Sequence, residues 1–369
     1  MGILGQRVAG SRLREFGFSH LTALLKTRAS FQFLKSSRIF LFVFLSWAGA
    51  SAHAQFCLQS FNGYGPVYAP ATQERTELFM REIVQDGCQV VHLQEIWNSG
   101  QMDQVTRWAG PSYRMFTPNR LAKNGLMSLS RWHIRKTQYI RFQFNTDGGW
   151  LDGGREIFGV EKGFAVQWLE TPVGEIAFVN LHLHPSSKAV RIAQLLEVIR
   201  WRMKIGAVPV VVAGDFNMAP RSVERALVIY GLKVRDAVDL LWGGYPGGFC
   251  TYCAANPLGW LSEDRIFDYA FFSGPFRIRD IKINLKDSAG RVLSDHYGLR
   301  VDWDFDSRGI PERDLALEST RLLQTFELAA RPLRETYGAQ SEVLRLLVGY
   351  RKDLIGREGD FWAYFEEGL

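Results

Sequence analysis

From Gln89 onward the chain is a succession of short apolar, β-branched runs: "QVVHLQEIW", "GLMSLS", "GFAVQWLE", "GEIAFVNLHLH", "VPVVVAGDF", "FDYAFFSG" and "HYGLRVDWD". Each has the length and composition of a strand, and each is bounded by loop-forming residues. Helical periodicity falls between them. Gln73 to Gln85 sets Leu78, Phe79 and Ile83 on one face, and Ser187 to Lys204 repeats Ile192, Leu195, Leu196, Ile199 and Met203. Many strands with interspersed helices predict an α/β (α+β) domain of roughly 250 residues with a sheet-built core.

After Asp304 the texture changes. "DSRGIPERD" breaks the last strand, and two helical stretches follow, Pro311 to Ala330 and Gln340 to Ile355, with Pro332 and Gly338 marking the break. Residues 305–369 are therefore expected to form a helical C-terminal extension packed on residues 55–304.

The 44 Lys and Arg against 38 Asp and Glu, with a pI near 9.1, would suggest a nucleic acid or an anionic membrane as partner. The excess is local. Seven basic residues and one acid, Glu15, precede Gln55, which leaves 37 of each sign in the remainder. That leading segment has a basic region ending at Arg38, an apolar run "IFLFVFLSWAGA", and small residues in "ASAHAQ", the order of a signal peptide cleaved after Ala54. The leader is long for a secretory signal. Ile39 to Ala50 is only 12 residues, short of the ~20 that span a bilayer, so a membrane anchor is the lesser alternative to export into a periplasm or medium.

All four cysteines, Cys57, Cys88, Cys250 and Cys253, follow that cleavage site, and an even number in an exported chain permits disulfides in three pairings. Structural disulfides or buried thiols outweigh a metal or redox role for the Cys250-x-x-Cys253 pair.

Several strand ends carry polar groups: Asn62, Glu95, Asn180 with His182, Asp215 with Asn217, Asp268, and Asp295 with His296. Singly, each has a bland reading: Asn62 as a turn former, Glu95 as a solvated strand end, His182 or His184 as a bonded core histidine, Asp215 to Asn217 as an Asx turn. Together they can form a site if the strand ends converge on one rim, where this architecture commonly binds ligands.

The ordered set "FNGYG", "LQEIW", "NLHLH", "AGDFNMAP", "FDYAF" and "LSDHYGL" resembles the endonuclease/exonuclease/phosphatase superfamily, over about Phe56 to Asp304. The resemblance implies a DNase I-like four-layer sandwich, two packed β-sheets flanked by helices. Within it, "LQEIW", "NGLMSLSRWHI", "FNTDGGWLDGGREIFGVEKGF", "NLHLH", "DRIFDYAFF" and "LSDHYGL" are most similar to the neutral sphingomyelinases. Leu181 departs from the small polar residue more usual there between Asn and His.

By this resemblance the chain is a metal-dependent phosphodiester hydrolase, with Glu95, Asn62 and Asp295 as ligands of magnesium, or of manganese as the alternative. Oxygen donors of this kind suit a hard cation that keeps several waters. His296 is the implied base, oriented by Asp268, because a histidine fixed by a carboxylate can accept a proton near neutral pH. His182 would donate to the developing charge on phosphorus, and Asp215 and Asn217 would orient water and phosphate. For some relatives Asp215 is the alternative base. Asn180 and Lys162 are the candidate substrate contacts, although a lysine beside glycine in a loop is more often simply solvated.

The implied substrate is a phospholipid cleaved at its head group, sphingomyelinase C or phospholipase C fashion, with an exported nuclease and then a phosphomonoesterase as alternatives. Formal neutrality of the chain after residue 54 favours lipid, since duplex binding needs several phosphate-neutralising cations. The loop "LWGGYPGGFCTYCAANPLGW" could turn Trp242, Tyr245, Phe249 and Trp260 toward a membrane, giving peripheral contact. It reads slightly better as a packed loop pinned by a disulfide. "SGPFRIRDIKINLKDSAGRVL" is too short and polar for a membrane-inserting hairpin. Nothing in the sequence points to a protein partner.

Overall fold

The computed structural model describes residues 55–118, 124–146, 160–309 and 315–355. The expected leader, residues 1–54, lies outside them, as do residues 147–159 of the glycine-rich stretch and residues 310–314.

Two six-stranded sheets stand among the described residues. The first runs Phe276–Asn284, Gly298–Phe305, Phe56–Asn62, Val90–Gln94, Met127–Ser130, Arg114–Phe116. The second runs His133–Arg141, Gly163–Thr171, Gly174–His182, Val210–Asp215, Asp268–Phe272, Arg235–Asp236. Each sheet holds one parallel pair at its centre, Phe56–Asn62 with Val90–Gln94 and Gly174–His182 with Val210–Asp215; its other pairs are antiparallel. Parallel neighbours need a crossover, and the two expected helices supply it, as Thr72–Asp86 and Lys188–Lys204.

Strand side chains alternate between faces, so each central strand sends one set of residues toward the helices and the other toward the opposite sheet. Phe61, Val91 and Leu93 pack with Phe79, Met80 and Ile83 of the first crossover helix and with Met102 and Val105 of the helix Ser99–Ala109. Val179, Leu181, Val210 and Val212 pack with Ile192, Leu195, Leu196 and Ile199 of the second. Between the sheets lie Leu58, Val90, Phe178, Val211, Phe272, Val301 and Trp303. Helix, sheet, sheet, helix is the expected four-layer sandwich.

The C-terminal helices belong to the outer layer on the second sheet. Leu322, Phe326, Ala329, Leu333, Val343, Leu344 and Leu347 share one apolar cluster with the crossover helix Lys188–Lys204. The expected break at Pro332 is not there: the helix Leu315–Tyr337 runs through it and ends at Gly338, which adopts φ 84°. A proline leaves the carbonyl four residues earlier without its donor. That residue is Leu328, 67 % exposed, so water can serve its carbonyl while Ala329 and Leu333 hold the helix to the core.

Both disulfides form, Cys57–Cys88 and Cys250–Cys253. The first ties the starts of the two parallel strands of the first sheet, at the end away from Asn62 and Glu95. The second brackets Thr251 and Tyr252. Disulfides fit an exported protein, and no helix of the described residues is long and apolar enough to cross a membrane.

His92 lies between the sheets, fully buried, its Nδ1 3.4 Å from the Ala213 carbonyl oxygen. Burial pushes its pKa down to about 3. The unfolded state then binds a proton near pH 6.5 that the folded state refuses until about pH 3, so His92 costs stability as pH falls across that window, at up to about 1.4 kcal/mol per pH unit. The variant His92→Gln should therefore lose less stability than wild type between pH 7 and pH 4 in urea unfolding; equal losses would refute the assignment.

Candidate active site

On the faces that meet between the sheets, apolar residues give way to polar ones toward a single rim. Leu58 leads to Ser60 and Asn62, Val90 to His92 and Gln94, Phe178 to Asn180 and His182, and Val211 to Ala213 and Asp215. Phe272, Ala270 and Asp268 make the same change on an antiparallel strand, whose register sets Asp268 opposite Asp215. The carboxyl ends of both parallel pairs therefore open on one crevice, with Glu95 one residue past its strand.

Backbone geometry at the rim is specialised. Glu95 and Asn217 adopt φ 57° and 50°, a left-handed conformation that is uncommon outside glycine and asparagine and that redirects the chain where each strand ends. Gly214, just before Asp215, has room for no side chain, because a Cβ there would stand 2.0 Å from the Leu181 carbonyl oxygen of the neighbouring strand.

The polar groups form a continuous line. Asp268 Oδ2 lies 2.8 Å from His296 Nδ1. His296 Nε2 is 3.8 Å from Asp215 Oδ2, which accepts a 3.0 Å bond from Asn62 Nδ2. Asp215 Oδ1 accepts the Asn217 backbone N–H at 3.0 Å. His182 Nε2 stands 3.5 Å from Asp215 Oδ2 and 3.9 Å from Glu95 Oε1. Asp295 follows, its Oδ1 receiving the Ser294 hydroxyl at 3.2 Å.

Burial raises the carboxyls of Glu95, Asp215 and Asp295, the latter two to about 6. Nearby carboxylates add to this, Asp215 acting on Glu95, Asp268 on Asp215, and Glu95 on Asp295. His296 goes the other way. Burial disfavours its charged form, but the carboxylates of Asp268 and Asp215 prevail and raise it well above the usual histidine range.

Four carboxyls in so small a space, three of them pushed up, are the electrostatic signature of a site that gains from a divalent cation. All are hard oxygen donors, and Glu95 and Asp295 are the less buried of the four. The ligating atoms of Asp215, Asp268 and His296 also lie within 4.8 Å of one another. There, however, the short Asp268–His296 bond already joins two of the three donors. Cys250 and Cys253 offer no thiolate, because they are joined to each other.

Asn62, Glu95, His182, Asp215, Asn217, Asp268, Asp295 and His296 thus converge as expected from the sequence. Asn62 Oδ1 already accepts the Tyr64 N–H at 3.0 Å and its Nδ2 donates to Asp215, an orienting arrangement between carboxylates. Lys162 is not the solvated loop lysine: it is 6 % exposed, donates to the Leu183 carbonyl oxygen at 2.9 Å, and acts electrostatically on Glu95 and Asp215. Asn180 does not face the crevice. Its Nδ2 donates across to the Leu93 and Met127 carbonyl oxygens at 3.1 and 3.0 Å, and its Oδ1 accepts Gln94 Nε2 at 2.8 Å. It is a clamp between the sheets rather than a substrate contact. His184 is likewise inward, its Nδ1 accepting the Ser187 N–H.

Three contributors carried no sequence signal. Thr251 Oγ1 accepts the backbone N–H groups of Phe267 and Asp268, at 3.0 and 3.1 Å, and so fixes the start of the strand that presents Asp268. The Tyr252 ring stands edge-on to His296, centroids 5.1 Å apart. Arg75, buried in the first crossover helix, donates to the carbonyl oxygens of Gly63, Tyr64, Pro70 and Leu293, binding the loop after Asn62 to the loop before His296. Replacing Asn180 with Ala leaves two carbonyls and the Gln94 amide short of partners in a dry interface. The expected cost is about 2–3 kcal/mol of stability, read from chemical denaturation, and a loss under about 0.5 kcal/mol would remove the clamp assignment.

No curated protein matches the sequence. Among solved structures, a truncated TDP2 from Caenorhabditis elegans is similar at 16 % identity and TM-score 0.53, over 68 % of this chain and 98 % of that one. SmcL, at 18 % and TM-score 0.52, covers 68 % of this chain and 99 % of its own. A beta toxin from Staphylococcus aureus, at 18 % and TM-score 0.52, covers 67 % and 99 %. These likenesses establish the fold. The model of the endonuclease/exonuclease/phosphatase family matches residues 59–296, a span that opens three residues before Asn62 and closes on His296. With that span covering every converging side chain of the crevice, the chain belongs to the endonuclease/exonuclease/phosphatase family and is a metal-dependent phosphoric ester hydrolase.

Proposed function

We propose that the protein is an exported, magnesium-dependent phosphodiesterase of the sphingomyelinase C or phospholipase C type, which releases the phosphoryl head group of a phospholipid by attack of water on phosphorus. The observation that carries the reaction is the line Asp268, His296, Asp215, closed at one end by a 2.8 Å bond and open at the other toward Glu95.

In this reading Glu95 and Asp295, with Asn62 between Glu95 and Asp215, would hold the cation, which would supply charge neutralisation for the phosphate and the leaving alkoxide. Asp268 fixes His296 with Nδ1–H toward its carboxylate, so that Nε2 faces the crevice and takes the proton of the attacking water. His182 Nε2, set between Glu95 and Asp215, donates to the charge that develops on the phosphate. Asp215, bonded by Asn62 and by the Asn217 N–H, orients the water. Those two bonds fix the carboxylate in place and leave each oxygen a further lone pair toward the crevice.

The choice of lipid rests on charge. Residues 55–369 balance 37 basic against 37 acidic side chains, and the crevice itself is rich in carboxyls. A polyanionic strand would meet that surplus along its length, whereas one phosphodiester on a zwitterionic lipid meets only the bound cation.

Purified protein should release phosphocholine from sphingomyelin or phosphatidylcholine with magnesium, and chelation should abolish the release. Plasmid nicking without head-group release would sink the lipid reading and favour the nuclease. Replacing His296 with Ala or Asp268 with Asn should each lower kcat at least about a hundredfold, while Glu95→Gln should raise the magnesium concentration needed for half-maximal rate. A His296→Ala protein as active as wild type would exclude it as the base.

A further inference from the structure

Two loops beside the crevice expose large apolar side chains that the reaction does not use. Val67 is 87 % exposed and Tyr68 68 % in the loop of residues 63–71; Trp260 is 74 % and Leu261 43 % in the loop of residues 254–262. The loops meet through Tyr68 and Trp260, ring centroids 6.1 Å apart, and Trp260 Nε1 donates to the Tyr64 hydroxyl at 3.3 Å. Isolated surface apolar residues are ordinary, but four on two joined loops at a site mouth form an unusual exposed patch.

The patch is held firmly. Arg75 spends its guanidinium on the carbonyl oxygens of Gly63, Tyr64 and Pro70, which fixes the first loop from within. In the second, the Trp260 backbone N–H donates to the Tyr252 hydroxyl at 2.5 Å, and Asn256 Nδ2 donates to the Ser294 carbonyl oxygen at 2.8 Å. The patch also continues into the crevice on both sides, through the Tyr64 N–H bonded to Asn62 and through the Tyr252 ring against His296.

Charge selects the occupant. Neither loop contains a Lys or Arg, and the residues next along the second are Glu263 and Asp264. Bases of a nucleic acid could stack on Tyr68 and Trp260, but their phosphates would find no cation in either loop. Tyrosine and tryptophan flanked by aliphatic side chains suit the boundary between head groups and acyl chains.

We propose that Val67, Tyr68, Trp260 and Leu261 form a docking surface for an uncharged or zwitterionic lipid bilayer, seating the crevice over the head groups. The surface deepens the lipid reading given above and rests on it for its role in turnover, but docking itself is measured separately.

The full-length chain and its Val67→Ser and Trp260→Ser forms would be sedimented with phosphatidylcholine vesicles, with and without phosphatidylserine, and assayed on the water-soluble bis(4-nitrophenyl) phosphate. Each substitution should weaken vesicle binding about fivefold or more, and phosphatidylserine should add little. Soluble diester hydrolysis should stay within about twofold of wild type. Val67→Ser changes a side chain that is almost wholly in solvent, so it reports even if the Trp260→Ser form folds poorly. Vesicle binding unchanged in both forms would overturn the proposal. Parallel loss of soluble diester hydrolysis in both would also overturn it by making the residues internal supports, and so would loss of single-stranded oligonucleotide binding with vesicle binding intact. Patch-dependent binding by a protein that releases no head group would uphold the docking surface and reject the lipid substrate; head-group release with patch-independent binding would do the reverse.

Discussion

The packing of one sheet on the other governs everything else in this molecule. Its apolar end, from Leu58 and Val90 to Trp303, drives association by excluding water, a force with little directional preference. Apolar contact alone would let two sheets slide. The polar end removes that freedom, because Asn180 reaches the Leu93 and Met127 carbonyls and Gln94 reaches Asn180, bonds that exist at one relative position. Since His182 lies two residues beyond Asn180 and Glu95 one beyond Gln94, fixing that clamp fixes the distance between groups delivered by different sheets.

The crevice is electrostatically costly in return. Carboxyls that burial and mutual repulsion raise toward neutrality do not stabilise the fold. What offsets them within the protein is sparse: the charge of Lys162 beside Glu95 and Asp215, a raised His296, and amide donors from Asn62 and Asn217. Rigid neighbours then carry the burden of geometry. Thr251, Tyr252 and Arg75 brace the strand and loops that present Asp268, His296 and Asn62, and the Cys250–Cys253 bridge closes around the first two.

The outer layers divide labour differently. The C-terminal helices add apolar cover to the second sheet, far enough into the core that Leu333 is buried beside a proline that would ordinarily end a helix. The aromatic loop before Asp268 is split in its fate. Tyr245 and Phe249 pack together, with the Tyr245 hydroxyl bonded to Asp236, whereas Trp260 at its far end remains in solvent. Neither the fully packed nor the fully exposed reading of that loop was right, because its bridge pins only the middle.

The sequence alone determined the local structure and the roster of the crevice. Alternation at period two marked the strands, helical spacing marked both crossovers, and motif order tied Asn62, Glu95, His182, Asp215, Asp268 and His296 into one site, because short-range patterns and chemical identity are written residue by residue. It was silent where a role depends on a partner distant in sequence. Asn180 and His182 sit on the same face of one strand, yet only sheet-to-sheet distance decided that one is a clamp and the other faces the crevice. Lys162 looked solvated beside its glycine until tertiary packing brought it to the Leu183 carbonyl. Pro332 looked like a helix end until the core on one side and water on the other made its missing bond tolerable. Burial and long-range pairing are properties of the assembled layers, and the same residue types in the same local order would take other roles if those layers met differently.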